Sequence, residues 1–494
     1  MNKIKTIVIV LSLALAINAS SVMAAKSSLN LGMVLEPPHL DPTAGAAAAI
    51  DEVVYANIFE GLTRIDKNGA VKPALASSWT VSEDKKTYTF VLQKNVTFHD
   101  GASFEADDVV FSLDRARAEN SVNAQKALFK PIQSVTSKDS HTVVVTLTRP
   151  TGSFLFNMGW GDAIIVDPSS ADKNKSHPMG TGPFKFSKWV KGDRIVMVRN
   201  DGYWGTSAKL KTATIKIIPD PAAAVSAMMA GDVDGFANFP APESLSQFKS
   251  DSRFTVVIGS TEGETILSTN NQRGPFKNLK VRQAVAHALD RKSIVDGAMF
   301  GYGTPIGTHF APHHPAYVDL ISTHPYDLAK AKQLLAEAGY PDGFKGVIKL
   351  PPPSYARRGG EIVASQLRKI GINLEIIPVE WAQWLDQVFK KRDYDLTIVS
   401  HTEPMDIGIY ARKDYYFAYD SPEFQALMKK LDATVETDAR YKILGDAQRL
   451  ISADCVNGFM FQLAKHGVWN KNIRGLWENS PVQANDLTEV YWVD

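Results

Sequence analysis

The chain has 494 residues, and 54 Lys and Arg stand against 53 Asp and Glu for a formal net charge of +1. That length calls for two or three domain cores rather than one, and so even a charge balance gives no electrostatic reason to expect nucleic acid or an anionic membrane as partner. Cys455 is the only cysteine, so no intrachain disulfide can form and stability must come from ordinary apolar cores.

The first element is a leader. Met1–Lys5 carries two lysines, Ile7–Ile17 is apolar apart from Ser12, and Val22-Met23-Ala24 is the small-residue pattern that signal peptidase reads. The apolar run is shorter than the roughly 20 residues of a transmembrane helix. No cysteine stands at the junction, which closes the lipid-anchor route. Residues 1–24 are therefore read as a cleaved signal peptide, and the mature chain from Ala25 as a soluble exported protein without membrane insertion. Removing Lys3 and Lys5 from +1 leaves a charge of about −1.

Strands and helices then alternate. Thr87–Leu92 (TYTFVL) and Thr142–Thr148 (TVVVTLT) are β-branched and aromatic and predict strands, as do Ile215–Ile218 and Ile372–Ile377. Lys280–Asp290 predicts an amphipathic helix, with Val281, Ala284, Val285, Ala288 and Leu289 on one face. Asp327 caps a second helix whose stripe is Leu328, Ala331, Leu334, Leu335 and Ala338, and Gly339 and Pro341 stop it. Mixed order of this kind predicts an α/β chain.

Between these elements lie short loops of Gly, Asp, Pro and aromatics. In order they are YANIFEGLTRI (55–65), PALASSW (73–79), TYTF (87–90), FHDG (98–101), ADDVVF (106–111), GTGPF (180–184), RNDGYWG (199–205), AGDVD (230–234) and VRQAVAHALD (281–290). Singly each is a turn or packing signature. GTGPF has no helix opening after it, so it is a turn rather than a phosphate cradle.

In this order and at these separations, the loops resemble the family 5 extracellular solute-binding proteins of ABC importers. The resemblance runs from about Leu31 to the end. It implies the type II periplasmic-binding-protein fold, with two lobes, a hinge and an extra domain inserted in lobe I. Lobe I would comprise residues 25–66, 181–268 and 470–494, the inserted domain 67–180, and lobe II 269–469. Hinge strands would run near Thr269-Asn270-Asn271 and Val468-Trp469. The implied role is a periplasmic, monomeric receptor that holds a small or peptide ligand between its lobes and hands it to a membrane permease.

The resemblance also implies a site. In the dipeptide-binding branch, a lobe II loop offers a carboxylate to the ligand's amino terminus. Here that loop reads SHTEPMDIGIY (400–410), with Glu403 opposite the amine-binding acid, Asp406 opposite a second acid, and His401 and Met405 beside them. A carboxylate in a closed cleft needs a partner, which a ligand ammonium would supply. Otherwise Glu403 and Asp406 cap the loop or pair with Arg412. Trp381 and Trp384 share a helix face and, with Tyr410, are candidates for an aromatic cleft wall or for core packing. Glu36 and Pro37 would line the cleft from lobe I, and Asn270 from the hinge. The branch's carboxylate-binding arginine falls at Pro353 or Ser354. Arg357 and Arg358 lie just beyond, as a second charge or a solvated face. That departure leaves open a longer peptide, a modified amino acid, an opine-like conjugate, a sugar-like amine or a metal chelate.

His309, His313, His314 and His324 match no closed zinc spacing and read as a solvated Pro-rich loop, so neither metal nor cofactor is expected. No GxSxG, GxxxxGK or HExxH occurs, and with the resemblance this argues against an enzyme.

Overall fold

A computed structural model describes residues 26–45, 47–434 and 436–493. The leader expected at residues 1–24 lies outside them. No helix among the described residues is long and apolar enough to cross a membrane.

One eleven-stranded mixed sheet runs through the molecule. Its strands in chain order are β1 (Ser28–Met33), β2 (Phe184–Val190), β3 (Arg194–Arg199), β4 (Thr212–Ile217), β5 (Gly235–Phe236), β6 (Phe254–Thr269), β7 (Thr304–Pro305), β8 (Phe344–Leu350), β9 (Ile372–Pro378), β10 (Leu396–His401) and β11 (Asn457–Asn470). Their spatial order is β9-β8-β10-β6-β11-β5-β1-β4-β3-β2, with β7 joined to β11. The strands on either side of the β6/β11 pair pack into separate cores. Leu29, Leu31, Ile195, Met197, Ala213 and Ile215 share one with the helix Ala48–Val54. Ile348, Leu350, Ile372, Leu396 and Ile398 share another with the helices Leu279–Ala288 and Ser354–Arg368.

β6 and β11 belong to both halves. From Phe254 to Ser260, β6 pairs with Asn470 to Ala464, on the stretch of β11 that also holds β5. The register then breaks between Ser260 and Glu264, a β-bulge. From Glu264 to Thr269, β6 pairs with β10 on its other edge. The pairing thus changes edge within β6, which ends at Thr269, the start of the stretch where a hinge is expected. Asn270 follows β6 directly. Its amide donates to the Arg392 and Tyr394 carbonyls at 3.0 and 3.2 Å.

The expected elements form largely as their patterns require. Thr142–Leu147 alternates, and Val143, Val145 and Leu147 are buried with Phe90 under the helix Ala106–Arg117. Each such side chain contributes about 1.5–3 kcal/mol by burial. These strands belong to a separate four-stranded antiparallel sheet, Ala76–Val81, Thr87–Leu92, Thr142–Leu147 and Ile132–Asp139 in spatial order. The stripe Val281, Ala284, Val285, Ala288 and Leu289 is wholly buried. The helix predicted to Asp290 ends at Ala288, because Asp290 instead caps the next one, Arg291–Met299, accepting from the Ser293 N–H at 3.1 Å. Asp327 caps Leu328–Glu337 as expected, accepting from the Lys330 N–H at 2.9 Å.

GTGPF is a packing turn. A Cβ on Gly180 would fall 2.0 Å from the Ile58 carbonyl oxygen, and one on Gly182 2.5 Å from that of Asn57. Backbone on backbone cannot yield cheaply. Gly180→Ala should therefore cost about 1–3 kcal/mol, the usual range for overpacking, read as a lower thermal midpoint. An unchanged midpoint would show that the Ile58 segment gives way.

Candidate functional site

The loop after β10 folds against the crossing point. Pro404 restricts Glu403 to extended backbone, Met405 takes a left-handed conformation at φ +59°, and a 3-10 turn, Asp406–Ala411, follows. Gln483 reaches this loop from the C-terminal segment, its amide donating to the Thr402 carbonyl at 2.6 Å. Arg149 also meets Asp432 at 3.0 Å, and Arg358 meets Glu243 at 3.7 Å. These contacts join the two sides of a cleft.

Asp406 does not face that cleft as a free acid. Its Oδ1 lies 2.6 Å from His309 Nε2, and its Oδ2 lies 3.2 Å from His401 Nδ1. The outer nitrogens are held too, His309 Nδ1 by the Tyr410 hydroxyl at 3.2 Å and His401 Nε2 by that of Tyr416 at 3.0 Å. Asn457 in turn donates to the Tyr410 oxygen at 3.0 Å. Burial works to raise the Asp406 pKa, but the two imidazoles overcome it and hold the carboxyl well below its usual range. For His401, burial lowers the pKa, and the charges of Asp406 and Glu403 outweigh it and raise it. His309, His401 and Asp406 converge within 4.8 Å and form the one group among the described residues with metal-ligand geometry. Every nitrogen and oxygen in it already has a protein partner, so the geometry describes a closed network that anchors the loop.

This corrects several expectations. Asp406 pairs with histidines, not with Arg412. The histidine loop is not solvated: His309 is 1% exposed, and His313 holds Glu262 at 2.6 Å and the Gln462 amide at 3.1 Å. Tyr410 is fully buried, because the 3-10 turn rolls its ring onto Phe417, 4.6 Å away. Trp384 is buried in the same core and donates to Thr397 Oγ1 at 2.9 Å, while Trp381 packs partly exposed at its edge. Neither Trp384 nor Tyr410 forms a cleft wall. Glu36 accepts from Trp189 Nε1 and the Gly192 N–H, both at 2.9 Å, which ties its loop to the β2–β3 hairpin; Pro37 beside it is buried. Arg357 is spent on the Pro351 and Val379 carbonyls.

Glu403 is different. Among the described residues its one hydrogen bond comes from the Thr402 N–H at 3.2 Å, and none of them forms an ion pair with it. Its charge reaches residues of both sides. It pushes up the already desolvated Asp162 and acts in the same sense on Glu264, Tyr355 and Tyr415. Glu264 is 4% exposed. Burial, then the charges of Asp406 and Glu262, raise its pKa well above the usual carboxylate value. Asp51, Asp162, Glu262 and Glu264 escaped the sequence reading. A local cue existed only for Asp162, in the Trp160-Gly161-Asp162 turn.

A two-sided α/β molecule on shared strands, with an acid-rich cleft at the crossing, defines a solute-binding protein. The chain belongs to the bacterial extracellular solute-binding proteins of family 5, whose middle-region sequence model matches residues 70–411. It is 32% identical to heme-binding protein A of Haemophilus influenzae over 64% of this chain and 63% of that protein. It is 32% identical to the glutathione-binding protein GsiB of Salmonella paratyphi A over 70% of this chain and 68% of that protein. The chain thus spans about two thirds of these relatives. Its fold matches the periplasmic binding protein DppA from Helicobacter pylori in complex with the peptide STSA, at a TM-score of 0.83 and 25% identity, covering 95% of this chain and 99% of that one.

The His–Asp–His network has a pH signature. Asp406, with its lowered pKa, contributes stability above the unfolded value near 3.8 and loses it as pH falls. His401, with its raised pKa, contributes below the unfolded value near 6.5 and loses it as pH rises through the folded value. The joint contribution is therefore largest between about pH 4 and 6.5. Asp406→Asn should destabilise by about 3–5 kcal/mol in that window, as breaking a buried pair does, with the deficit shrinking at higher pH. Urea denaturation at pH 5.5 and 8.5 checks this; an equal deficit at both would rule out the His401 linkage.

Proposed function

We propose that this chain is the receptor of an ABC importer. It is exported through a cleaved signal peptide, captures a peptide-like, amine-bearing solute in the cleft, and delivers it chemically unchanged to a membrane permease. The observation that carries this reading is Glu403, a cleft carboxylate without a cation partner among the described residues, on a loop anchored by the Asp406 network. A ligand ammonium would satisfy it through charge-assisted hydrogen bonds. The glutathione-binding relative and the peptide complex of the matching fold support a peptide-like solute. The bulge at Ser260–Glu264 supports a hinge, because the ladder is already interrupted there.

Glu403→Gln keeps the shape and removes the charge. It should weaken binding of an amine-bearing peptide about 10- to 100-fold by calorimetry, the loss of one charge-assisted bond. Small-angle scattering should show compaction when that peptide binds. Unchanged affinity would remove Glu403 from recognition, and saturable binding without compaction would count against the hinge.

A further inference from the structure

We infer that the β2 edge of the large sheet carries a second binding site, outside the cleft, for a small organic anion: a carboxylate or phosphate group on an apolar body. A cavity of about 630 Å³ lies between β2, the segment Ser176–Met179 and His99, a size ordinary for small-molecule sites. β2 is the last strand in the order β11-β5-β1-β4-β3-β2. At the usual strand spacing that places it about 24 Å from β11. The cavity is thus separate from the cleft, and an anion would be held there whether or not the receptor reading stands.

The strand's register builds the cavity wall. Phe186 pairs with Met197 and Trp189 with Ile195, both buried, so the two rings lie on the core face. Lys185 pairs with Val198 and Lys188 with Val196, on the opposite face. Strict alternation would put Lys188 on the face of Phe186. The register shift between Phe186 and Lys188 moves it to the face of Lys185 instead. No strand among the described residues covers the outer edge of β2, so both faces border one cavity, apolar on one side and cationic on the other. Pro178 and Met179 extend the apolar wall, and the His177 ring meets Phe186 edge-on with centroids 5.9 Å apart.

Three lysines line the cavity and no carboxylate does. Lys185 gives one donor to the His99 carbonyl at 2.9 Å, and Lys191 lies over the Trp189 ring, 3.0 Å from its centroid. No carboxylate among the described residues forms an ion pair with Lys185, Lys188 or Lys191. The acids of the hairpin and its neighbouring loop are committed, Glu36 to Trp189 and Gly192 and Asp193 to Arg194. An ammonium has three donors, so the lysines keep most of theirs for a ligand, and an anion would meet several through charge-assisted hydrogen bonds. His99 is wall rather than ligand. Its Nδ1 accepts from the Gly180 N–H at 3.4 Å and its Nε2 donates to the Gly182 carbonyl at 3.0 Å. Burial lowers its pKa to about 4, which leaves the positive charge to the lysines. Lysines and a bulge also keep an edge strand from pairing with other chains, but that role needs no apolar cavity beside the charges.

The test is calorimetric titration of the mature wild type and a Lys188→Gln, Lys191→Gln double variant, beside thermal melts. The probes are indole-3-acetate, phenyl phosphate, the neutral indole-3-acetamide, and inorganic phosphate, which has charge without an apolar body. One site per chain should bind an organic anion ten times or more tighter than the amide or inorganic phosphate. The double variant should weaken the organic anions about tenfold. Its midpoint should hold, because both side chains are exposed. A second arm sediments both proteins with vesicles of phosphatidylglycerol or phosphatidylcholine. If the organic anions bind and the wild type alone follows phosphatidylglycerol, the natural anion is a lipid headgroup; if they bind and neither protein sediments, it is a soluble molecule. If vesicles bind and no soluble anion does, the lysines form a charged surface and the anion pocket is refuted. It is refuted equally if the double variant binds the anions as tightly as wild type, or if the amide binds as well as the acid. If no probe binds, the lysines only guard the strand edge. None of these outcomes touches the receptor reading, which stands on the cleft.

Discussion

The long antiparallel pair of Phe254–Thr269 and Asn457–Asn470 is the constraint on which the other parts depend. Its register is interrupted at two places, between Ser260 and Glu264 and between Thr265 and Ile266. Because β-strand side chains alternate and the ladder fixes register, the pair sets the position of both halves. The bulge at Ser260–Glu264 puts Glu262 and Glu264 beside the loop of Glu403 and Asp406. Backbone pairing that joins the halves also assembles the acids between them.

Those acids are managed in different ways, and the differences define the site. Asp406 keeps its charge because two imidazoles answer it, and it spends that charge on holding the loop. Glu262 is answered by His313. Glu264 forms no ion pair among the described residues, and its burial pushes its pKa up. Glu403 forms no ion pair among the described residues, which is the ground for proposing it as the acid that meets a ligand. A negative field at a cleft favours cationic solutes in both encounter and retention, although the chain as a whole is close to neutral.

Much of the fold was legible. The strands Thr87–Leu92 and Thr142–Leu147 and the helices from Leu279 and Leu328 form where the apolar period placed them, because local burial pattern and tertiary burial agree. The site was legible only in part. The loop at 400–410 stood out by its acids and proline, and Glu403 is left there without an ion pair among the described residues. Asp406 looked equivalent to Glu403 in the sequence. Only the fold brings His309 next to Asp406, a separation of nearly a hundred positions that no local pattern encodes. Tyr410 and Trp384 read equally well as cleft wall or core, since a large aromatic suits either.

The sequence by itself determined the elements and their faces, the family's order of turns, and the absence of any disulfide. These follow from short-range periodicity, glycine and proline placement, and composition. Tertiary structure alone decided which acids are paired. A carboxylate's state depends on burial and on partners within a few ångströms, and those partners come from segments as distant as His309 and Asp406.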